Sequence, residues 1–379
     1  MDFTFTEEQQ AVAEAAAAVL TGVAPDGVPS PALVPGAVAE DIDRALWRRL
    51  ADADLLSLPV PTEQGGAGLG PIALCLLLRE AGQVLARVPL LETGAAALTL
   101  RTYGGRAQGK LQRLLPAIGR GELVVTVAAS GRTGHDAAER AVSARPERDH
   151  WVLDGVQTAV PWARSADRVL LPARTAAGRT VLVLLAPGRP GVVLADQVST
   201  NGEPYAELSL DSVRVDRADV ITADGAWPWL RSLLICGTCA LALGVGLAAA
   251  RMTGAYTSTR EQFGFPLATF QAVAVQAADR YIDLQAMEAT LWQAAWRIES
   301  GADGPLPAAA DLAVAKIWAA EGVRRVVQTA QHLHGGFGAD TEYALHRYHA
   351  WAKQLELSLG PAAAHEEALG DLLAAHPLA

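Results

Sequence analysis

Residues 232–250 form an uncharged run between Arg231 and Arg251, and no other segment limits the fold as strongly. A helix of that length is just long enough to span a bilayer. The run mixes Gly, Ala, Cys and Thr with its leucines, however, and it lacks the aromatic belts that flank a membrane helix. We therefore predict a helix that is buried inside protein.

The composition favours a large, helix-rich core. Only 19% of the 379 residues are charged, against about 25% in an average soluble domain, and 51% are hydrophobic. This excludes a disordered chain, and at about 100 to 200 residues per domain the length predicts two or three domains. Because the net charge is −10 and the basic residues are scattered, nucleic acid and anionic membranes are not expected as partners.

The cysteines and the N-terminus predict a cytoplasmic protein. Cys75, Cys236 and Cys239 are too few for a disulfide framework, and the first ten residues are acidic where a signal peptide would be basic. Cys236 and Cys239 have the spacing of a redox pair, but no βαβ pattern surrounds them and no second pair completes a zinc site. We interpret them as buried small hydrophobic residues.

Helical and strand patterns divide the chain into three parts, which together predict an α+β fold. Residues 1–121 are predicted to be an all-α domain with helices at 5–21, 40–53, 71–87 and 106–119, the first of them opened by a Thr6 to Gln9 capping box. Residues 122–222 are predicted to be an antiparallel β domain, with runs at 150–160, 168–173, 179–186 and 206–215. Within the first run, Asp154 and Gly155 predict a tight hairpin turn. Residues 223–379 are predicted to be a four-helix bundle with breaks near 263–266, 301–307 and 334–338.

Two of these breaks carry the residues that are most informative about function. Residues 260–271 (REQFGFPLATFQ) place Arg260, Phe263 and Gln271 where a helix is interrupted, so that their side chains can reach a ligand. Residues 332–338 (HLHGGFG) place a glycine turn between helices, where backbone N–H groups can approach an anion. Each stretch taken alone is also consistent with a surface arginine and an ordinary helix-ending turn. Four histidines lie between 332 and 349, but no carboxylates complete a ligand set, so no metal is predicted.

Together, in this order, the two stretches resemble the acyl-CoA dehydrogenase family of flavoproteins. The resemblance covers the whole chain, including the loop PTEQGG at 61–66. In that family a tetramer binds one FAD per subunit, and the adenosine diphosphate half of each FAD lies against a neighbouring subunit. The resemblance implies that Arg260 pairs with the FAD pyrophosphate, consistent with the fit of a guanidinium to phosphate oxygens. It implies further cofactor contacts from Phe263, Gln271, His332, Gly335 and Gly336.

The family's catalytic base is missing from both positions where it is expected. The family reaction removes an α proton from an acyl thioester while the β hydrogen leaves as hydride to the flavin, which requires a general base. The residue at the family position, just before Gly360, is Leu359, and the second family position falls near Leu234. Glu356 lies three residues before Leu359, and if both are helical it can point to the same side. It is the one candidate for a displaced base, although an ion-paired or solvated Glu explains it equally well.

The middle domain also departs from the family pattern. Members that hold their own flavin carry hydroxyl-bearing stretches that bind the flavin ring and a tryptophan that packs on it. Here Pro161 stands where a hydroxyl donor is expected, beside Trp162. The chain thus keeps the residues for the pyrophosphate half of FAD and lacks those for the ring half.

These selective losses predict a subunit that shares FAD with a homologous, catalytic partner. The pattern resembles the flavin-ring-deficient subunit of actinobacterial heteromeric acyl-CoA dehydrogenases, which act on CoA thioesters of steroid side chains. The expected reaction is α,β-dehydrogenation of an acyl-CoA, with an electron acceptor such as electron-transfer flavoprotein. Two alternatives stay open: a homotetramer with its own FAD and a displaced base, and a non-catalytic scaffold or acyl-CoA-binding subunit.

Overall fold

The computed structural model describes residues 4–105, 109–134 and 137–376 of the chain. Five helices build its N-terminal part: α1 (Glu7–Leu20), α2 (Arg44–Asp52), α3 (Pro71–Gln83), α4 (Leu90–Tyr103) and α5 (Leu115–Gly119). The predicted capping box opens α1, since Thr6 Oγ1 accepts from the Gln9 backbone N–H at 3.2 Å and Gln9 Oε1 accepts from the Thr6 N–H at 3.0 Å.

Two helix predictions in this part were wrong in detail. Helix α4 was not predicted, because residues 93–100 are buried at nearly every position and show no amphipathic period. The predicted helix 106–119 lies partly outside the described residues, and its described portion is helical only in α5, after a single 3₁₀ turn at Gln112–Leu114.

The middle part is a mixed sheet of eight strands: β1 (Val125–Val127), β2 (Val142–Pro146), β3 (His150–Pro161), β4 (Arg168–Thr175), β5 (Thr180–Leu185), β6 (Val192–Val198), β7 (Pro204–Asp216) and β8 (Val220–Ile221). The main path of the sheet runs β6-β7-β3-β2-β4-β5-β8, and β1 pairs with β4 off that path. Most pairings are antiparallel, as predicted, but β1 and β2 both run parallel to β4.

The predicted hairpin at Asp154 and Gly155 is wrong. Strand β3 continues through both residues, and its register with β7 shifts between Leu153 and Gly155. Gly155 has a φ of +144°, and a Cβ atom there would lie 2.3 Å from the carbonyl oxygen of Ala141. The glycine therefore serves a β-bulge within a long strand, which uses the same conformational freedom that a tight turn would need.

The C-terminal part contains α6 (Ala226–Thr259), a short hairpin of β9 (Glu261–Gln262) and β10 (Phe265–Pro266), then α7 (Gln271–Ser300), α8 (Ala308–His334), α9 (Leu345–Leu357) and α10 (Ala362–Ala375). The helices end at the three predicted breaks. Helix α6 contains the uncharged run, and 83% of its most apolar stretch is buried within the protein. The long helix is apolar because helices surround it.

Helices α3 and α6 meet along a seam of small residues. A Cβ atom on Gly82 would lie 2.4 Å from the carbonyl oxygen of Leu241, and one on Gly244 would lie 2.1 Å from that of Arg79. The thiol sulfurs of Cys75 and Cys236 lie 3.6 Å apart in the same seam, and Cys239 is buried nearby on α6. The two backbones therefore touch where a side chain would keep them apart.

Candidate functional site

A cavity of about 1080 Å³ lies where the three parts of the chain meet. Helices α4, α6, α9 and α10 contribute to its wall, together with the end of β3 and the segment that joins β6 to β7. Most of the lining is apolar, and it includes Trp162, Trp227 and Trp351. A largely apolar pocket with a few polar groups is the usual form of a small-molecule site.

Both expected positions of the catalytic base line this cavity, and both are leucine. Leu234 is a buried residue of α6, and Leu359 lies two residues beyond the end of α9 with a φ of +60°. Neither side chain can accept a proton. The cavity wall is thus apolar at the two places where the family chemistry needs a carboxylate.

Glu356 does not take over this role in the structure. It lies on α9 and forms an ion pair with Lys353, whose Nζ is 2.8 Å from its carboxylate, and it is not among the cavity-lining residues. Because α9 ends at Leu357, Glu356 and Leu359 do not share a helical face. The geometry agrees with the ion-paired alternative.

A buried lysine and a neutral histidine hold the turn that carries Leu359. Lys316 is 0% exposed, and its Nζ donates to the carbonyl oxygens of Leu355 and Glu356 at 3.1 and 3.0 Å, the carbonyls at the end of α9. Burial lowers the pKa of Lys316 to about 8. His365 Nε2 donates to the Leu359 carbonyl oxygen at 3.0 Å, and burial lowers the pKa of His365 to about 4, so this imidazole is neutral near pH 7.

The cavity contains a carboxyl pair that the sequence analysis missed. Glu92 on α4 and Glu203 before β7 are both half-buried in its wall. Burial, with the neighbouring Glu203 charge, raises the pKa of Glu92 to about 8, and burial also raises the pKa of Glu203. A signal was present, because Glu92 is the single charged residue between Arg87 and Arg101.

The end of β3 confirms that no hydroxyl stands at position 161. Pro161 and Trp162 line the cavity, and the nearby Thr126 hydroxyl donates to the carbonyl oxygen of Pro161, inside the protein. Trp162 is buried and has a φ of +58°.

The residues predicted to contact FAD lie away from the cavity, at one end of the bundle. Arg260 follows α6, Phe263 is 89% exposed in the hairpin between α6 and α7, and Gln271 is the exposed first residue of α7. No hydrogen bond or ion pair engages the Arg260 guanidinium within the described part of the chain.

The glycine turn lies at the same end. Tyr256, one helical turn before Arg260, stacks on His334 with ring centroids 4.2 Å apart and on Phe337 at 5.7 Å. Gly335 has a φ of +59°, and the space around Gly335 and Gly336 is open. His332 is exposed on the last turn of α8. The structure therefore brings the two predicted stretches together on the surface.

The histidines near the glycine turn make protein contacts. The ring nitrogens of His334 contact the Ala330 carbonyl at 2.8 Å and the Tyr343 hydroxyl at 3.2 Å, and His346 Nδ1 contacts the Tyr343 carbonyl at 2.9 Å. Among the described residues, no three His, Cys, Asp or Glu side chains form a group that would hold a metal ion.

Comparison with known proteins places the chain among flavoenzymes. Residues 6–122 match the model of the acyl-CoA dehydrogenase N-terminal domain, and residues 236–373 match that of the C-terminal domain. Acyl-CoA dehydrogenase FadE27 of Mycobacterium tuberculosis is 35% identical over 381 residues, with all of both chains covered.

Two solved structures are similar over nearly the whole chain. The ChsE4-ChsE5 complex from Mycobacterium tuberculosis matches with a TM-score of 0.88 and 35% identity, covering 100% of both chains. A variant of the Tcur3481-Tcur3483 steroid ACAD matches with a TM-score of 0.87 and 37% identity, covering 97% of this chain and 98% of that one.

Proposed function

Because the chain belongs to the acyl-CoA dehydrogenase family, we propose that it is the subunit of a heteromeric acyl-CoA dehydrogenase that completes the FAD site of a homologous catalytic partner. Members of this family bind FAD and oxidise acyl-CoA thioesters. The observation that carries the proposal is the pair of leucines, Leu234 and Leu359, at the cavity positions where a base is needed. A chain without a base still contributes if the partner subunit supplies one.

The residues of this chain fit one half of FAD. At the end of the bundle, the exposed Arg260 guanidinium has no partner within the described residues, and the open turn at Gly335 and Gly336 leaves room for phosphate oxygens near backbone N–H groups. At the cavity, Pro161 offers no hydroxyl and no N–H to a flavin ring. When bound in the partner subunit, the flavin would accept the β hydrogen of the substrate as hydride.

In this arrangement the residues of the chain bind and position the cofactor. The charge of Arg260 offsets the pyrophosphate charge, the Gln271 amide supplies a further polar contact, and the exposed Phe263 ring packs against the cofactor or the partner subunit. His332 flanks the glycine turn. The proton is removed by a carboxylate of the partner subunit.

We propose CoA thioesters of steroid side chains as the substrate class, an electron acceptor such as electron-transfer flavoprotein, and the cytoplasm as the compartment. The similar Tcur3481-Tcur3483 protein is a steroid ACAD, which supports the substrate class by similarity. Rates of the assembled complex with a steroid side-chain CoA ester and with butyryl-CoA would test it. Faster oxidation of butyryl-CoA would contradict the proposed substrate class.

The cofactor content of purified protein tests the shared site. The chain is purified alone and together with a homologue that carries the missing Glu and the flavin-ring motifs, and flavin absorbance per chain is recorded. We expect no FAD in the chain alone and one FAD per pair of subunits in the complex. One FAD per chain in the sample purified alone would overturn the proposal, and no FAD in either sample would favour a non-catalytic scaffold.

The contribution of Arg260 is tested in the complex. Arg260→Ala removes the phosphate partner and is expected to weaken FAD retention by about tenfold or more, the usual effect of losing a charge-assisted hydrogen bond. Arg148→Ala is the matched control, because Arg148 is an exposed arginine in the middle domain. Equal FAD retention in the two variants would remove Arg260 from the site.

The homotetramer alternative makes an opposite prediction for Glu356. If Glu356 were the displaced base, Glu356→Gln would lower the rate of oxidation by about 100-fold or more. In the heteromer, the same variant is expected to keep the activity of the complex, since Glu356 pairs with Lys353 outside the cavity.

A further inference from the structure

The polar groups of the cavity are concentrated on one part of its wall. Glu92 lies on α4, Asn201 and Glu203 lie in the segment between β6 and β7, and Tyr205 and Gln354 follow on β7 and α9. The family reaction assigns no role to this group. The rest of the lining is mostly aliphatic and aromatic, so these residues decide which polar atoms of a ligand the cavity accepts.

The hydrogen bonds of this group orient Glu203 and leave Glu92 free. Gln354 Nε2 donates to the Tyr205 hydroxyl at 3.1 Å, and the side chains of Tyr205 and Asn201 both hydrogen bond to the Glu203 carboxyl. The Asn201 position is fixed in turn by the Ser199 hydroxyl, which donates to its Oδ1 at 2.8 Å. The Glu92 carboxyl has no side-chain hydrogen-bond partner within the described residues.

The charges around the pair favour a single negative charge on it. The two carboxyls repel each other when both are ionised, and burial disfavours each ionised form. The nearest cation is Arg87, which forms a buried ion pair with Asp26 and donates to the Asn201 carbonyl oxygen at 3.0 Å. Near pH 7 one carboxyl of the pair therefore accepts a hydrogen bond and the other donates one.

A second, independent observation comes from Trp351 on α9. It lines the same cavity and is 4% exposed, and its indole N–H has no hydrogen-bond partner within the described residues. A buried donor without a partner is costly, and a ligand atom that accepts a hydrogen bond would satisfy it. An ammonium group has no such acceptor.

We propose that this cavity binds an uncharged, mainly apolar molecule whose hydroxyl or carbonyl oxygen contacts Glu92, Glu203 and the Trp351 indole. Such an oxygen accepts from the indole N–H or the protonated carboxyl, and a hydroxyl also donates to the ionised carboxyl. An anionic group is repelled by the charge of the pair. The proposal goes beyond the shared FAD site, because it concerns the cavity of this chain alone.

Three probes with one apolar cage test the chemistry of the site in the full chain. Isothermal titration calorimetry at pH 7 compares 1-adamantanol, 1-adamantylamine and adamantane-1-carboxylate. We expect the alcohol to bind about tenfold or more tightly than either charged probe. No measurable binding of the alcohol, or binding of a charged probe that equals or exceeds it, would overturn the proposal.

Isosteric variants place the binding at the carboxyl pair. Combined Glu92→Gln and Glu203→Gln substitution is expected to weaken 1-adamantanol binding by about tenfold or more, whereas Glu8→Gln, at an exposed position on α1, is expected to leave it unchanged. An unchanged affinity in the double variant would overturn the assignment.

Two further measurements keep the outcome interpretable. Trp351→Phe retains the apolar volume and removes the indole N–H, so a selective loss of the alcohol is expected even if the double variant does not fold. Flavin absorbance of each sample is recorded as well, because flavin in the chain alone would contradict the shared FAD site, whereas lack of alcohol binding in a flavin-free chain would contradict only the cavity proposal.

Discussion

At the residue scale, Lys316 is the side chain with the largest expected effect on stability. Lys316→Met keeps most of the buried volume but leaves the carbonyl oxygens of Leu355 and Glu356 without their donor. We expect the free energy of unfolding to fall by about 1 to 3 kcal/mol, measured by chemical denaturation at pH 7. Lys353→Met is the control, because the Lys353 side chain is partly exposed and its ion pair contributes about 1 kcal/mol or less. Equal losses in the two variants would show that Lys316 does not hold the end of α9.

Glu92 predicts a pH dependence that can be measured without any ligand. Its pKa is raised to about 8 in the folded state, by burial and by the Glu203 charge, so the folded chain holds a proton that the unfolded chain releases above about pH 4.5. The Glu92 contribution to stability is therefore lost as the pH rises from about 5 through 8. Glu203, Tyr205, Arg87 and Asp26 belong to the same charge network.

Glu92→Gln isolates this effect, because the amide does not titrate. We expect the variant to gain stability relative to wild type as the pH rises from 5 to 8, measured by chemical denaturation at both values. A difference between the two proteins that does not change with pH would contradict the raised pKa.

At the scale of the element, the sequence predicted helices and strands where one face is solvated and missed them where no face is. The amphipathic α1, with its capping box, was predicted, whereas α4 was missed because its buried positions surround the helix. The hairpin error has a different cause, because a local signal such as Asp154-Gly155 is compatible with both a turn and a bulge. Which of them forms depends on the pairing of β3 with β7, far away in the sequence.

The bulge predicts that Gly155 tolerates no side chain. Gly155→Ala brings a Cβ atom to 2.3 Å from the Ala141 carbonyl oxygen, and the φ of +144° is strained for alanine. We expect a loss of about 1 to 3 kcal/mol in the free energy of unfolding. Gly188→Ala is the control, because Gly188 has open space and no positive φ. Similar stability of the two variants would mean that β3 adjusts its register at no cost.

At the scale of the whole molecule, an exposed apolar face indicates assembly. Val275 and Ile282 lie seven residues apart on α7, hence on one helical face, and both are largely exposed, with Tyr281 beside them and Phe263 and Phe265 in the adjacent hairpin. A soluble chain rarely leaves such a patch uncovered. The residues that the sequence assigned to FAD adjoin this face, which is why their role could be predicted from the family resemblance, whereas the cavity carboxyls could not.

Disrupting this face should weaken assembly. Ile282→Lys places a charge within the patch, and we expect it to reduce complex formation with the homologous subunit by about tenfold or more in sedimentation velocity. Val193→Lys, on the outer strand β6, alters an equally exposed apolar residue away from α7. If Val193→Lys weakened the complex and Ile282→Lys did not, the interface would lie on the sheet.

The seam between α3 and α6 has a consequence for how the molecule comes apart. Gly82 and Gly244 let one helix of the N-terminal part and one of the C-terminal part pack backbone to backbone, so neither helix keeps its buried surface if the other melts. The two helical regions, separated in sequence by an entire sheet, should therefore share one cooperative transition. A single calorimetric peak that shifts as a whole in Gly244→Ala would reveal this common unit, and two separate peaks would show that the regions melt independently.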